Sequence, residues 1–237
     1  MASNQTMRLD LPLLQSAQAQ KHVTMNEALM RLDGAVNLVL QSISSTEPPP
    51  TVIDGQSWGV PAGATGDWAG QTGRIAIGAN GGWVFIAPAP GMRAFIVDRG
   101  AGGIHTGTAW AVGALTLGGQ GGGMMARVAE AEVAISAGTS LDSGLLIPGG
   151  AMVIGATARV VSAITGTATS WKLGTQGAEN RFGQGLGKDA GSWARGVLGA
   201  PMTYYDPATL WVTAEGGSFD GGVIRLAVHW WELRLPD

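Results

Sequence analysis

Few side chains in this 237-residue chain are of a type and spacing that could do chemistry. The three histidines, His22, His105 and His229, lie far apart, and none stands at a metal-ligand spacing. With no cysteine in the chain, disulfides, thiolate zinc sites and thiol catalysis are excluded. No Gly-x-Ser-x-Gly elbow presents a nucleophile. The carboxylates of the C-terminal half (Glu130, Glu132, Asp142, Glu179, Asp189, Asp206, Glu215, Asp220, Glu232 and Asp237) are scattered. A glycosidase needs two of them facing each other across a bond, which spacing alone does not provide. The expectation is a protein that binds rather than catalyses, with no metal and no cofactor.

One set of residues has the chemistry of sugar recognition. Aromatic faces stack on sugar rings, and planar polar groups bond hydroxyls. Trp171, Asn180, Arg181, Trp193, Tyr204, Tyr205 and Asp206 supply both, and they include both tyrosines of the chain. They fall in or beside a Gly-rich polar stretch, residues 174–192, that reads as a long loop. The alternative stays open that Trp171 and Trp193 face a core and that Tyr204-Tyr205-Asp206-Pro207 is an ordinary turn.

The elements that position these residues read as β. There are 39 Gly and 11 Pro, without a collagen period, between short Val/Ile/Leu/Trp runs. Phe is scarce at 4 and Trp plentiful at 9, which suits cores that also need an N–H. Only 13% of residues are charged, against about 25% in ordinary soluble domains. Such a surface suits burial between subunits or contact with neutral polymers. The net charge of −3 gives no basis for binding a phosphate backbone. No apolar run reaches the roughly 20 residues of a membrane span, and residues 1–10 lack the pattern of a signal peptide. Synthesis in the cytoplasm follows, with release by lysis if the protein meets a cell surface.

Along the chain, Thr24-Met25-Asn26-Glu27 fits a capping box opening a helix. Met25, Leu29, Leu32, Val36 and Val39 then follow at spacings of 4, 3, 4 and 3, an a/d seam over about two heptads. It fits either an amphipathic helix packed on its own domain or a self-associating helix. Pro48-Pro49-Pro50, within residues 44–50, marks a stiff boundary. The expected organisation is an N-terminal segment and helical anchor at 1–45, a small Trp-rich β domain at 51–113, and a C-terminal β-sandwich, jelly-roll-like, at 126–237. In the small domain, residues 74–77 and 83–86 read as a hairpin, and residues 93–97 and 108–112 as a second pair. Residues 118–123 read as a flexible linker. Strands are expected at 128–135, 152–164, 170–173, 210–214 and 223–233.

Residues 11–29, with the core Ala17-Gln18-Ala19-Gln20-Lys21-His22-Val23-Thr24-Met25-Asn26-Glu27-Ala28-Leu29, resemble the opening of a phage-associated family of alphaproteobacterial prophages and gene transfer agents. Arg31-Leu32-Asp33, Ala64 to Gly70, Gly81 to Phe85 and Pro90 to Phe95 continue the resemblance, and the C-terminal part is similar to the distal domain of some members. The resemblance implies a spike or fibre subunit, as in the head spikes of gene transfer agents, attached to other particle proteins and to host capsular polysaccharide. It brings no catalytic residues. It also implies a symmetric homo-oligomer, and so favours the Met25–Val39 seam as an oligomerisation or docking contact. Two further readings stay open: a spike base or adaptor that holds another subunit without touching glycan, and a capsule depolymerase.

Overall fold

The computed structural model describes residues 5–6, 8–9, 11–14 and 21–236, with the backbone alone of residues 21–24. Residues 17–20 of the N-terminal motif lie outside these. The architecture is mainly β, with one α-helix near the N-terminus. The chain divides into two compact units, Met1–Gly123 with Pro236–Asp237, and Met124–Leu235.

The first unit carries helix α1 (Lys21–Ala35) and eight strands: β1 (Val39–Leu40), β2 (Ser57–Gly59), β3 (Ile75–Ala79), β4 (Gly82–Ile86), β5 (Arg93–Ile96), β6 (Ala101–His105), β7 (Trp110–Val112) and β8 (Ala114–Leu117). Seven of them form one sheet in the order β4-β3-β2-β1-β5-β6-β7. The two-residue β1 pairs in parallel with both β2 and β5. It comes before the proline run and β2 after it, so residues 44–50 do not separate helix from β domain. They fold back on their own unit, where Thr46 O accepts the Thr65 N–H at 2.8 Å.

The β3–β4 hairpin forms at the expected place, with Asn80 and Gly81 both at positive φ (54° and 74°), as a type I′ turn requires. The expected second pair is instead split. Strand β6 lies between β5 and β7 and bonds to both. Residues 118–123 begin as a bonded turn, with Gly118 N–H to Gly122 O at 2.7 Å. Leu38, Leu40, Ile75, Ile77, Ala94 and Ile96 form one core. Trp58, Trp68 and Trp83 form another, at ring separations of 5.2–6.0 Å.

The helix packs the opposite way from an ordinary amphipathic helix. It already includes Lys21–Val23, so Thr24 does not cap it, and Glu27 pairs with Arg31 at 2.7 Å instead. Its inward side chains are Met30 (6% exposed) and Asp33 (1%). Asp33 accepts from Thr6 Oγ1 (2.8 Å), Arg8 N (3.1 Å) and Leu9 N (2.6 Å). Arg8 in turn donates to the carbonyls of Asp33, Gly34 and Asn37, the groups a helix C-terminus leaves unpaired. Asn26 bonds both backbone groups of Leu14. The N-terminal segment, folded back on itself where Gln5 pairs antiparallel with Pro12, is thereby tied to the helix by polar hooks. Of the apolar seam, Met25 (49% exposed), Leu32 (48%) and Val36 (38%) face water, while Leu29 is half-buried. Val39 falls beyond the helix, in β1, after Asn37 turns the chain at φ 48°.

The second unit is a β-sandwich. Its strands are β9 (Gly123–Ala134, beginning one residue earlier), β10 (Ser140–Ile147), β11 (Ala151–Gly166), β12 (Ser170–Thr175), β13 (Ala178–Leu186), β14 (Trp193–Tyr204), β15 (Ala208–Glu215) and β16 (Phe219–Arg234). One sheet runs β10-β15-β12-β13, and in the other β14, β11, β16 and β9 are neighbours in that order. Their inner faces share a single core that includes Ile147, Val153, Trp171, Leu173, Leu210, Phe219 and Ile224. The expected long loop at 174–192 is mostly strand. Residues 178–186 pair with β12, and glycine takes the place of side chains where backbones approach closely.

Candidate functional site

Strand alternation sends every second residue of the β14-β11-β16-β9 sheet outward. On β11 these include Thr157 and Arg159, on β14 Trp193 and Arg195, on β16 Arg225 and Ala227, and on β9 Glu130 and Glu132. Register then lines them up. Arg159 lies opposite Trp193 on one side and Arg225 on the other, and Thr157 lies opposite Arg195 and Ala227. Directly opposite side chains stand about 4.5–5.5 Å apart at Cβ. The result is a row Trp193–Arg159–Arg225 beside a row Arg195–Thr157–Ala227. The short Thr157 and Ala227 leave an open depression of about 550 Å³ among long neighbours.

The electrostatics of this face follow from its pairings. Arg225 Nε bonds Glu132 Oε2 at 2.8 Å. Arg195 Cζ stands 5.7 Å from the Trp193 ring centre, a cation–π contact that covers one ring face. Arg159 and Glu130 make no ion pair with a described residue. Trp193 is 61% exposed, a large aromatic surface left in water beside three guanidinium groups. Such a face can stack a planar or ring-shaped group on Trp193 and bond hydroxyl or acid oxygens through the arginine forks.

Of the residues expected to bind sugar, only Trp193 is here. Trp171 is 0% exposed, and its Nε1 donates to Gly187 O at 2.8 Å inside the sandwich. It is core, because β12 lies between β15 and β13 and turns that ring inward. Tyr204, Tyr205 and Asp206 are at the other end of β14, about 35 Å from Trp193 at about 3.3 Å per residue. Tyr204 packs against the core, while Tyr205 (87% exposed) and Asp206 form a turn. Asn180 bonds Gln184 within β13, and Arg181 Nη1 contacts Met202 Sδ at 2.9 Å. These residues do not converge on one site. Arg159, Arg195 and Arg225 were missed because each is a single charge in an apolar or Gly-rich run. Their only sequence signal is alternation, which shows which side of the sheet they take but not which strands are neighbours.

Fold and site together give a two-unit, mainly β protein whose second unit carries a solvent-open aromatic and cationic sheet face. Residues 25–111, which carry most of the helix and nearly all of the first unit's sheet, match a family described as a protein of unknown function, DUF2793. No curated protein matches the chain. Among solved structures, the chain is similar to one described as the cyanophage Pam1 capsid asymmetric unit, at 22% identity and a TM-score of 0.37, over 50% of this chain and 92% of that one. Among the described residues, no group of His, Asp and Glu is arranged to hold a metal ion, and no helix is long and apolar enough to cross a membrane.

Proposed function

We propose that this protein is an oligomeric spike or fibre subunit of a phage-like particle, and that the outer sheet face of its second unit attaches the particle to host surface polysaccharide. The observation that carries the binding half is Trp193, 61% exposed at the rim of an open depression with three arginines. The exposed ring offers a flat apolar face on which a sugar ring can stack, with guanidinium donors beside it. The particle half is supported by the resemblance of residues 11–29 to the phage-associated family. It is also supported by the exposure of Met25, Leu32 and Val36, which belong with the half-buried Leu29 to a 4-3-4 a/d spacing that a second copy would complement.

The test uses the whole chain. Encapsulated cells and their capsule-free counterparts are incubated with labelled protein, and bound label is measured. Capsule-dependent binding is expected, and Trp193→Ala should reduce it about tenfold while leaving the fold intact, as expected for loss of a stacking contact worth about 1.4 kcal/mol. Equal binding to both cell types would sink the attachment role. The reading includes no catalytic step, so release of reducing ends from purified capsule would contradict it.

The adaptor reading has an observation of its own. Val128 (46% exposed) and Val197 (74%) extend the same outer face as apolar surface, which a protein partner would cover. Capsule-independent capture of another particle subunit, lost in Val197→Asp, would favour it.

A further inference from the structure

The charges on the sheet face are unbalanced in one direction, and the imbalance has a definite place. Arg159 stands between Trp193 and Arg225 in register, with Arg195 on the diagonal. Like charges set opposite each other on a sheet destabilise it. Ordinarily a carboxylate offsets them, and Glu132 does so for Arg225. Arg159 has no such partner: its guanidinium makes no hydrogen bond or ion pair with a described residue. In a chain of net charge −3 with only 13% charged residues, three arginines and two carboxylates thus share one depression; Arg225 has Glu132 and Arg195 has the Trp193 ring, while Arg159 has neither kind of partner.

The surroundings narrow what the free group can take. It sits at the centre of the row, with the Trp193 ring on one side. The floor beside it is Thr157 and Ala227, too short to reach the guanidinium's far edge. A guanidinium presents a planar fork that matches a carboxylate with two parallel hydrogen bonds. An aromatic ring one strand away is placed for a sugar ring carrying that carboxylate. The depression is open, which suits an internal stretch of a polymer rather than a chain end.

Resting on the polysaccharide reading above, we infer that the ligand is a carboxylated polysaccharide, one of whose acid groups is held by Arg159 while its sugar ring stacks on Trp193. Arg225, oriented by Glu132, supports the same anion from the next strand. Glu130, unpaired on the far rim, works against it and limits the affinity.

The test titrates the full-length protein with oligosaccharides of three carboxylated polymers, polygalacturonate, alginate and polysialic acid. Each is used as the free acid and as its methyl ester, with dextran oligomers as a neutral control. The ester keeps the ring and removes only the charge. At least one acid form should bind, its ester at least tenfold more weakly, and binding should weaken as salt rises. Arg159→Ala should lose tenfold or more with an unchanged circular dichroism spectrum, Arg159→Lys should lose less, and Glu130→Gln should gain severalfold. Equal binding of acid and ester, or acid binding indifferent to Arg159→Ala, would overturn this inference while leaving the polysaccharide reading in place. Failure of every acid, ester and neutral oligomer to bind the folded protein would overturn both.

Discussion

Asp33 shows how far a single residue can redirect an element. A carboxylate that is 1% exposed must find donors, because burying a charged group without partners costs several kcal/mol. The donors it has are Thr6, Arg8 and Leu9, all on the N-terminal segment. Next to it Gly34 has no side chain, and an added Cβ would come 2.5 Å from Ile77 Cγ2, so the helix can press against β3 on that side. These two positions turn the helix so that Leu32 and Met25 face outward. The heptad spacing was legible in the sequence. Which face is covered was not, because it depends on where an acid and a glycine fall relative to a sheet that the sequence leaves unplaced.

His105 makes a prediction at the same scale. Its ring is 3% exposed, lies 5.0 Å from that of Trp110, and accepts the Gly107 N–H at Nδ1 (3.1 Å). Burial lowers its pKa from the ordinary 6.5, because the charged ring would lose its hydration. The folded state therefore binds fewer protons than the unfolded one just below that value. The stability contribution is complete above pH 6.5 and falls as pH drops toward the lower folded value. Denaturant midpoints at pH 7.5 and 5.5 should show the wild type losing stability with acid. His105→Gln should flatten that part of the dependence, and a slope unchanged by the substitution would assign the loss to other groups.

At the scale of elements, strands β9, β11, β12, β15 and β16 fall within a few residues of their expected places. Each contains a run such as Val223 to Trp231, whose apolar residues leave little alternative. Strands β13 and β14 were obscured by glycine, which ordinarily marks loops. Here glycine is a packing device. Gly196 on β14 lies so close to the Phe182 backbone of β13 that an added Cβ would overlap its carbonyl oxygen. Backbone cannot move aside as a flexible side chain can. Gly196→Val should therefore destabilise the second unit by about 1–3 kcal/mol or more, beyond what strand propensity would suggest, since Val is by itself the better strand former. A thermal melt followed by Trp fluorescence checks this. A variant as stable as the parent would mean that β13 is not held against β14 there. The same effect explains why the site was only partly legible. Trp193 was visible as an aromatic beside a polar stretch, but its companions became apparent only once β14 was known to be a strand paired with β11.

For the molecule as a whole, the two units carry different parts of the proposed function, and the parts are separable. In the proposed function the helix stripe serves assembly, and the sheet face takes one sugar segment at a time. A shallow, solvent-open face gives weak single-site binding, because little of the ligand leaves water. Attachment then depends on several copies engaging one polymer, where linkage can raise apparent affinity by about 10²–10⁴. Leu32→Asp puts a charge in the middle of the exposed stripe, at a position 48% exposed in the single chain. In the proposed assembly it would remove a contact between copies, and at an exposed position it leaves both cores undisturbed. Light scattering should show a smaller particle. Affinity for a short oligosaccharide should be unchanged, whereas affinity for the long polymer should fall at least tenfold. If the size stays the same, the stripe is not the assembly surface. If the size falls but polymer affinity does not, attachment needs only one site, and the weak-site argument for this face fails.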